Sequence, residues 1–118
     1  MCSGRMQISM CSKYNSRKVT APDGQKFDSV KEYHRWGCLR LLERAGRITD
    51  LKRQVRFELI PKQDGERACY YVADFTYMQD GQLVVEDVKG YKRGQAYSLF
   101  SCKRKLMLWV HGIRVKEV

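Results

Sequence analysis

The chain has no apolar run long enough to cross a bilayer: the longest, Leu106 to Val110, falls far short of the roughly 20 residues a spanning helix needs. Met1 to Met10 carries Arg5 and lacks the continuous apolar segment of a signal peptide, so a cytoplasmic protein without membrane contact is expected; Met6 and Met10 are alternative starts. There is no Cys-x-x-Cys pair. Cys2, Cys11, Cys38, Cys69 and Cys102 are odd in number and widely spaced, which argues against a disulfide framework or zinc knuckle and for reduced thiols. Repeats and low-complexity tracts are absent. Acids are few: 13 Asp and Glu stand against 23 Lys and Arg, giving a net charge of +10 and favouring a polyanionic partner. With 118 residues there is material for one core, burying roughly two-thirds of the unfolded surface without staples.

Residues 1–26 are polar and basic, with Arg17, Lys18 and a Pro22-Asp23-Gly24 turn signal, and little regular structure is expected there; a folded domain is expected over 27–118. Ser29-Val30-Lys31-Glu32 reads as a capping box. Cys38, Leu41, Leu42 and Ala45 then recur at helical spacing up to Gly46, predicting a helix over 29–45. After a linker, Val55, Phe57 and Leu59 alternate with Arg56 and Glu58 as far as Pro61, a half-buried strand. Tyr70 to Met78 and Gln82 to Val88 are β-rich runs joined by Asp80-Gly81, the strongest short hairpin signal. A second helix is predicted from Gly94–Ser98 to Gly112, with Leu99, Cys102, Leu106 and Trp109 on one stripe; Ile113 to Val118 reads as a terminal strand. The order is α-β-β-β-α-β.

If Asp80 and Gly81 form a two-residue loop, the register places Asp74 opposite Asp87 and Val72 opposite Lys89, so Asp74, Asp87 and Lys89 share a face. Opposed residues have Cα atoms roughly 4.5–5.5 Å apart, where like charges repel unless something positive lies between them. Spacing alone leaves two readings: a site for a divalent cation, whose oxygen ligands suit Mg²⁺ or Mn²⁺ better than zinc, or a solvated salt bridge with Lys89 at the strand ends.

At these residues the chain resembles the PD-(D/E)XK (restriction-endonuclease-like) superfamily, whose core is α-β-β-β-α-β with an acid on the second strand and acid-x-Lys on the third, here Asp74 and Asp87-Val88-Lys89. More closely, Lys26-Phe27-Asp28-Ser29 with Glu32, Leu51-x-x-Gln54-x-x-Phe57-x-Leu59, Tyr71-Val72-Ala73-Asp74-Phe75 and Val85-Glu86-Asp87-Val88-Lys89-Gly90 resemble a family of small phage proteins of unknown function considered related to phage endonuclease I type Holliday-junction resolvases. The likeness covers about residues 13–118. It implies an α/β (α+β) domain with a mixed central sheet flanked by helices, and a Mg²⁺-dependent DNA endonuclease in which Mn²⁺ substitutes. It further implies a preference for branched DNA and a homodimer. Asp74 and Asp87 would hold the metal, Lys89 would assist hydrolysis, and Glu32 would join the metal site unless it serves only as the capping-box acid. Ala73 stands where the superfamily has proline, and Asp87 is one methylene shorter than the usual glutamate.

Other residues keep two readings. Gln54 matches the family pattern and either orients water or phosphate or satisfies a buried backbone group. Glu86 alternates to the opposite face and reads as support. Lys92 and Arg93, beside Tyr91, and Lys103, Arg104 and Lys105, near Tyr97, are phosphate-contact candidates or a solvated face; such contacts position a backbone without reading sequence. His34 and His111 read as surface or packing residues, Tyr33 and Trp36 as core or interface aromatics. The alternatives to a nuclease are a non-catalytic nucleic-acid-binding phage accessory or regulatory protein, and a protein-binding inhibitor of a host defence system.

Overall fold

The chain runs β1 (Val19–Thr20), β2 (Lys26–Phe27), α1 (Val30–Arg44), β3 (Thr49–Ile60), β4 (Cys69–Gln79), β5 (Gln82–Asp87), α2 (Gly94–His111) and β6 (Lys116–Glu117) in a computed structural model that describes residues 18–90 and 92–118. Readings that fall on residues 1–17 or on Tyr91, among them Arg5, Arg17, Cys2 and Cys11, lie outside the described residues. The main sheet has the order β3-β4-β5-β6, antiparallel except for the parallel β5–β6 pair, and carries a helix against each face. This is the expected mixed sheet flanked by helices. The ribbon formed by β1 and β2 was not expected. It pairs Val19 with Phe27 around the Pro22-Asp23-Gly24 turn, where Asp23 accepts from the Gln25 N–H and Gly24 takes φ +92°.

Asp80 and Gly81 adopt φ of +53° and +79°, as a type I′ loop requires, and the ladder follows the predicted register from Gln79↔Gln82 to Phe75↔Glu86. Ser29 caps α1 by accepting from the Glu32 N–H at 3.0 Å, and Gly112, at φ +69°, ends α2. β3 starts at Thr49, six residues before Val55, so no linker separates it from α1 by more than a turn.

Both helices bury only part of the predicted stripe: Leu42 of α1 and Leu106 of α2 pack against the two clusters, but the fully buried positions lie elsewhere. On α1 the buried residues are Glu32 and Leu39, while Cys38, Ala45 and Leu41 (63% exposed) face outward. On α2 they are Phe100 and Met107; Cys102 is exposed, as are Leu99 at 59% and Trp109 at 85%. In each helix apolar residues occupy two faces, and the buried one includes charged or polar residues that find partners.

The feature that positions the site is a change of face in the sheet. Tyr71 and Ala73 pack with Phe100 and Met107 of α2, whereas Phe75 and Tyr77, on the same strand and at the same parity, pack with Leu39 of α1. An unbroken strand would point all four the same way. Pairing confirms the switch: Phe75 opposes Glu86 on the α1 side, and Thr76 opposes Val85 on the α2 side. β3 turns over with its neighbour. Arg53 lies on the α1 side over Phe27, and Phe57 and Leu59 lie in the α2 cluster. The flanking pairs are Arg53↔Phe75 and Val55↔Ala73, so the step falls at Gln54, whose φ is +53°, and Asp74. A left-handed non-glycine residue costs on the order of 1–2 kcal/mol, and here it buys a bend that brings Asp74 out of the alternation.

Candidate functional site

The hairpin and its face change bring Asp74 beside Asp87 at the end of the β4–β5 ladder. Past Phe75↔Glu86 the backbone pairing gives way to a side chain: Val88 N–H donates to Asp74 Oδ2 at 2.9 Å. Asp87, buried on the α2 side, accepts from the Tyr71 hydroxyl at 2.7 Å, and Lys89 Nζ lies 3.4 Å from its Oδ1. β6 holds this segment from the other edge, since Val118 N–H donates to Asp87 O and Lys89 N–H donates to Val118 O. The Lys89 ammonium also sits 4.0 Å from the Phe100 ring centre, which confines its stem while leaving the head partly open to solvent.

Electrostatics mark Asp74. Burial first, then hydrogen bonding with Asp87 and the charge of that carboxyl, push Asp74 up to about 8, against the pull of the Val88 N–H. Glu32 adds a smaller share of negative charge from α1. Burial likewise raises the Tyr71 hydroxyl, with the Asp87 charge as the second cause. The negative charge of Asp87 beside Asp74 favours a positive partner at Asp74, whether a proton or a divalent ion.

Glu32 is brought to the edge of the site and held there by other groups. Its Oε1 accepts from the Asp28 N–H at 3.1 Å, and its Oε2 accepts from Gln54 Nε2 at 3.3 Å and lies 3.7 Å from Arg53 Nη2. Burial raises its pKa, opposed by the Asp28 N–H. Gln54 therefore holds Glu32 through its amide. Among the described residues, no group of three or more His, Cys, Asp or Glu is arranged to hold a metal ion. The donor chemistry of Asp74 and Asp87, oxygen only, fits a hard divalent cation at two ligands.

Glu86 projects to the α1 face, as its parity predicts. It is fully buried and accepts from Arg35 Nε at 2.8 Å and Nη2 at 2.6 Å, and from the Tyr77 hydroxyl. Burial opposes its ionisation, yet the Arg35 and Tyr77 hydrogen bonds hold it below the usual carboxylate range. Of the basic residues, Lys103 and Lys89 border a shallow cleft of about 230 Å³ with Tyr71, Asp87 and Phe100. Arg93 is the exposed N-cap of α2, Lys105 is exposed, and Lys92 Nζ lies 3.8 Å from Glu117. Arg104 is turned inward to Glu117 at 3.0 Å. His111 contacts the Glu58 carbonyl at 2.7 Å, and Trp36 stacks on Phe75 at 5.9 Å.

Sequence reasoning missed Tyr71, Arg53, Arg35 and Lys31, whose Nζ donates to the Lys89 carbonyl at 2.8 Å. Simple alternation sets Tyr71 and Asp74 on opposite faces, so only the step at Gln54 and Asp74 reveals that Tyr71 reaches Asp87.

The fold is compatible with nuclease-like architectures, and no helix among the described residues is long and apolar enough to cross a membrane. No curated protein and no solved structure matches the chain. A family does, across residues 11–111, a stretch that takes in α1 to α2 and with them Glu32, Asp74, Asp87 and Lys89: the chain belongs to the family described as Protein of unknown function (DUF1064).

Proposed function

We propose that the protein is a Mg²⁺-dependent DNA endonuclease of the PD-(D/E)XK type, with Asp74 and Asp87 as metal ligands and Lys89 as the residue that assists hydrolysis. The observation that carries this reading is the meeting of two acids from adjacent strands beside one amine, with Asp74 pushed up to about 8. A Mg²⁺ ion bound there would stabilise charge on a phosphate and lower the pKa of a bound water. The chain's own groups do the rest. Val88 N–H and the Tyr71 hydroxyl each engage one oxygen of their aspartate, which would leave the second oxygen of each for the ion, that of Asp87 with Lys89 Nζ 3.4 Å away. Lys89, tethered by Asp87 and the Phe100 ring, presents its ammonium where a phosphate oxygen would gather charge. In the overall reaction a water oxygen forms a bond to phosphorus, one ester P–O bond breaks, and the water proton passes to the leaving oxygen. Lys103, at the cleft, and the exposed Arg93 and Lys105 supply phosphate contacts; Lys92 and Arg104, both close to Glu117, contribute less. Glu32 acts as a positioning acid through Gln54 and Arg53, and moves to the metal only if that pairing opens. Branched DNA as substrate and a homodimer as the active form are part of the same proposal.

A second reading, a non-catalytic DNA-binding protein, draws on the absence of a three-acid cluster among the described residues. The experiment that separates them incubates the protein with supercoiled, linear and four-way-junction DNA in Mg²⁺ or EDTA, comparing wild type with Asp74→Asn, Asp87→Asn and Lys89→Ala. Cleavage in Mg²⁺ alone, lost in each variant while DNA binding persists, supports the enzyme. Equal cutting by the variants, or none by the wild type, rejects it.

A further inference from the structure

Along α1, leading away from the site, runs a groove of about 790 Å³ whose walls include Tyr33, Trp36, Arg40, Leu41 and Arg44, with Gly37 in its middle. Its volume lies in the range of small-molecule sites, about 300–1,000 Å³. Gly37 is the observation that calls for an explanation. A glycine in a helix interior costs about 1 kcal/mol relative to alanine, a cost usually offset by close packing. Here a Cβ would meet no atom of the described residues within 4 Å. Packing among the described residues does not require the glycine; its missing side chain leaves the groove open between Tyr33 and Leu41, one turn to either side.

The chemistry of the walls selects an occupant. Tyr33 is braced edge-on against Phe27 at 5.2 Å, and Trp36 is stacked on Phe75, so both present preformed aromatic surface at low entropic cost. Arg40 lies 5.7 Å from the Trp36 ring centre, and Arg44 follows one turn later. The one acid of the lining among the described residues, Asp23, is engaged by Gln25 through both carboxylate oxygens. Aromatic and apolar walls with a cationic rim match an unpaired nucleic-acid strand, whose bases stack while its phosphates meet arginines. The groove starts within a helical turn of the site's edge, because the turn of α1 just before Tyr33 carries Lys31, bonded to the Lys89 carbonyl, and Glu32.

We propose that this groove binds a single-stranded segment of DNA leaving the site, so that the substrate is DNA with an unpaired arm. The proposal rests on the nuclease reading for its biological meaning, but its test does not depend on cleavage. In EDTA, full-length Trp109→Phe protein, which keeps Trp36 as its lone tryptophan, is titrated with oligothymidylate of about ten nucleotides and with blunt duplex. The expected result is a saturable change in Trp36 fluorescence with the single strand. Adding Gly37→Leu, which fills the groove, weakens that binding about tenfold or more while leaving the melting temperature equal or higher and duplex binding unchanged. Arg44→Ala lowers the salt slope of single-strand binding by about 0.7. Single-strand binding unaffected by Gly37→Leu overturns the proposal. So does a groove closed by a second copy of the chain, seen as self-association that Gly37→Leu abolishes. Loss of cleavage alone, with these binding results intact, would reject the nuclease and leave the groove assignment standing.

Discussion

Replacing Arg35 by methionine tests how the sheet carrying the acids is anchored to α1. Glu86 is adjacent to Asp87, its side chain is fully buried, and Arg35, 28% exposed, engages it through two hydrogen bonds of 2.6 and 2.8 Å. Removing one partner of a buried pair strands the other charge, typically at about 3–5 kcal/mol; the partial exposure of Arg35 and the remaining Tyr77 hydrogen bond place the expected loss near the lower end, about 3 kcal/mol at neutral pH. Arg35→Met/Glu86→Gln keeps an acceptor for Tyr77 and removes the stranded charge, so the pair couples by about 2 kcal/mol in a double-mutant cycle. The pH dependence has a definite sign. In the wild type the Glu86 carboxyl lies below its unfolded value of 4.5, so its contribution is present above that value and lost as pH falls through the native one. In Arg35→Met the native value rises, stability falls as pH climbs past 4.5, and wild type and variant converge in acid. Urea denaturation across pH measures all of this. A loss under about 1 kcal/mol for Arg35→Met, or a double variant as unstable as the sum of the singles, refutes the reasoning.

Asp74 behaves in the opposite sense. Its folded carboxyl keeps a proton up to about 8 while the unfolded one ionises from 3.8, so in EDTA stability falls with rising pH between these values; Asp74→Asn removes that slope and is more stable near neutrality by about 2–4 kcal/mol. A less stable Asp74→Asn, or a slope that persists in it, contradicts the burial assigned to this acid. Ser29→Ala deletes the cap on the Glu32 N–H and costs about 1 kcal/mol in thermal or urea unfolding. Gly81→Ala, at φ +79°, costs about 1–2 kcal/mol and is read in the same assay.

The hairpin register was legible because Asp80-Gly81 is a local signal with one favoured geometry, and the register then brought Asp74 and Asp87 together on paper as in space. The element order from α1 onward and the caps at Ser29 and Gly112 were legible for the same reason, while the β1–β2 ribbon ahead of α1 was not. The helix faces were not. α1 turns Glu32, Arg35 and Leu39 toward the sheet and leaves Leu41 outside, because Arg35 and Glu86 neutralise each other and Arg53 lies 3.9 Å over the Phe27 ring. Hydropathy ranks such charged residues as surface, while the buried face here is defined by long-range partners. α2 was misread similarly: Phe100 and Met107 pack inward and Trp109 stands exposed. The step at Gln54 and Asp74 left no mark in the alternation of either strand, since it consists of two simultaneous changes of face that preserve the pairing across them. It hid Tyr71 as the partner of Asp87 and Gln54 as the partner of Glu32.

The central claim is that Asp74 and Asp87 jointly hold a divalent cation beside Lys89. Anomalous diffraction from crystals of the full chain soaked in Mn²⁺ tests it most directly. The account predicts a peak within coordination distance of one oxygen from each aspartate, about 2.0–2.4 Å away, and absent from Asp87→Asn crystals. A well-ordered soaked crystal with no peak between the two carboxyls, or with manganese bound only elsewhere, would contradict it.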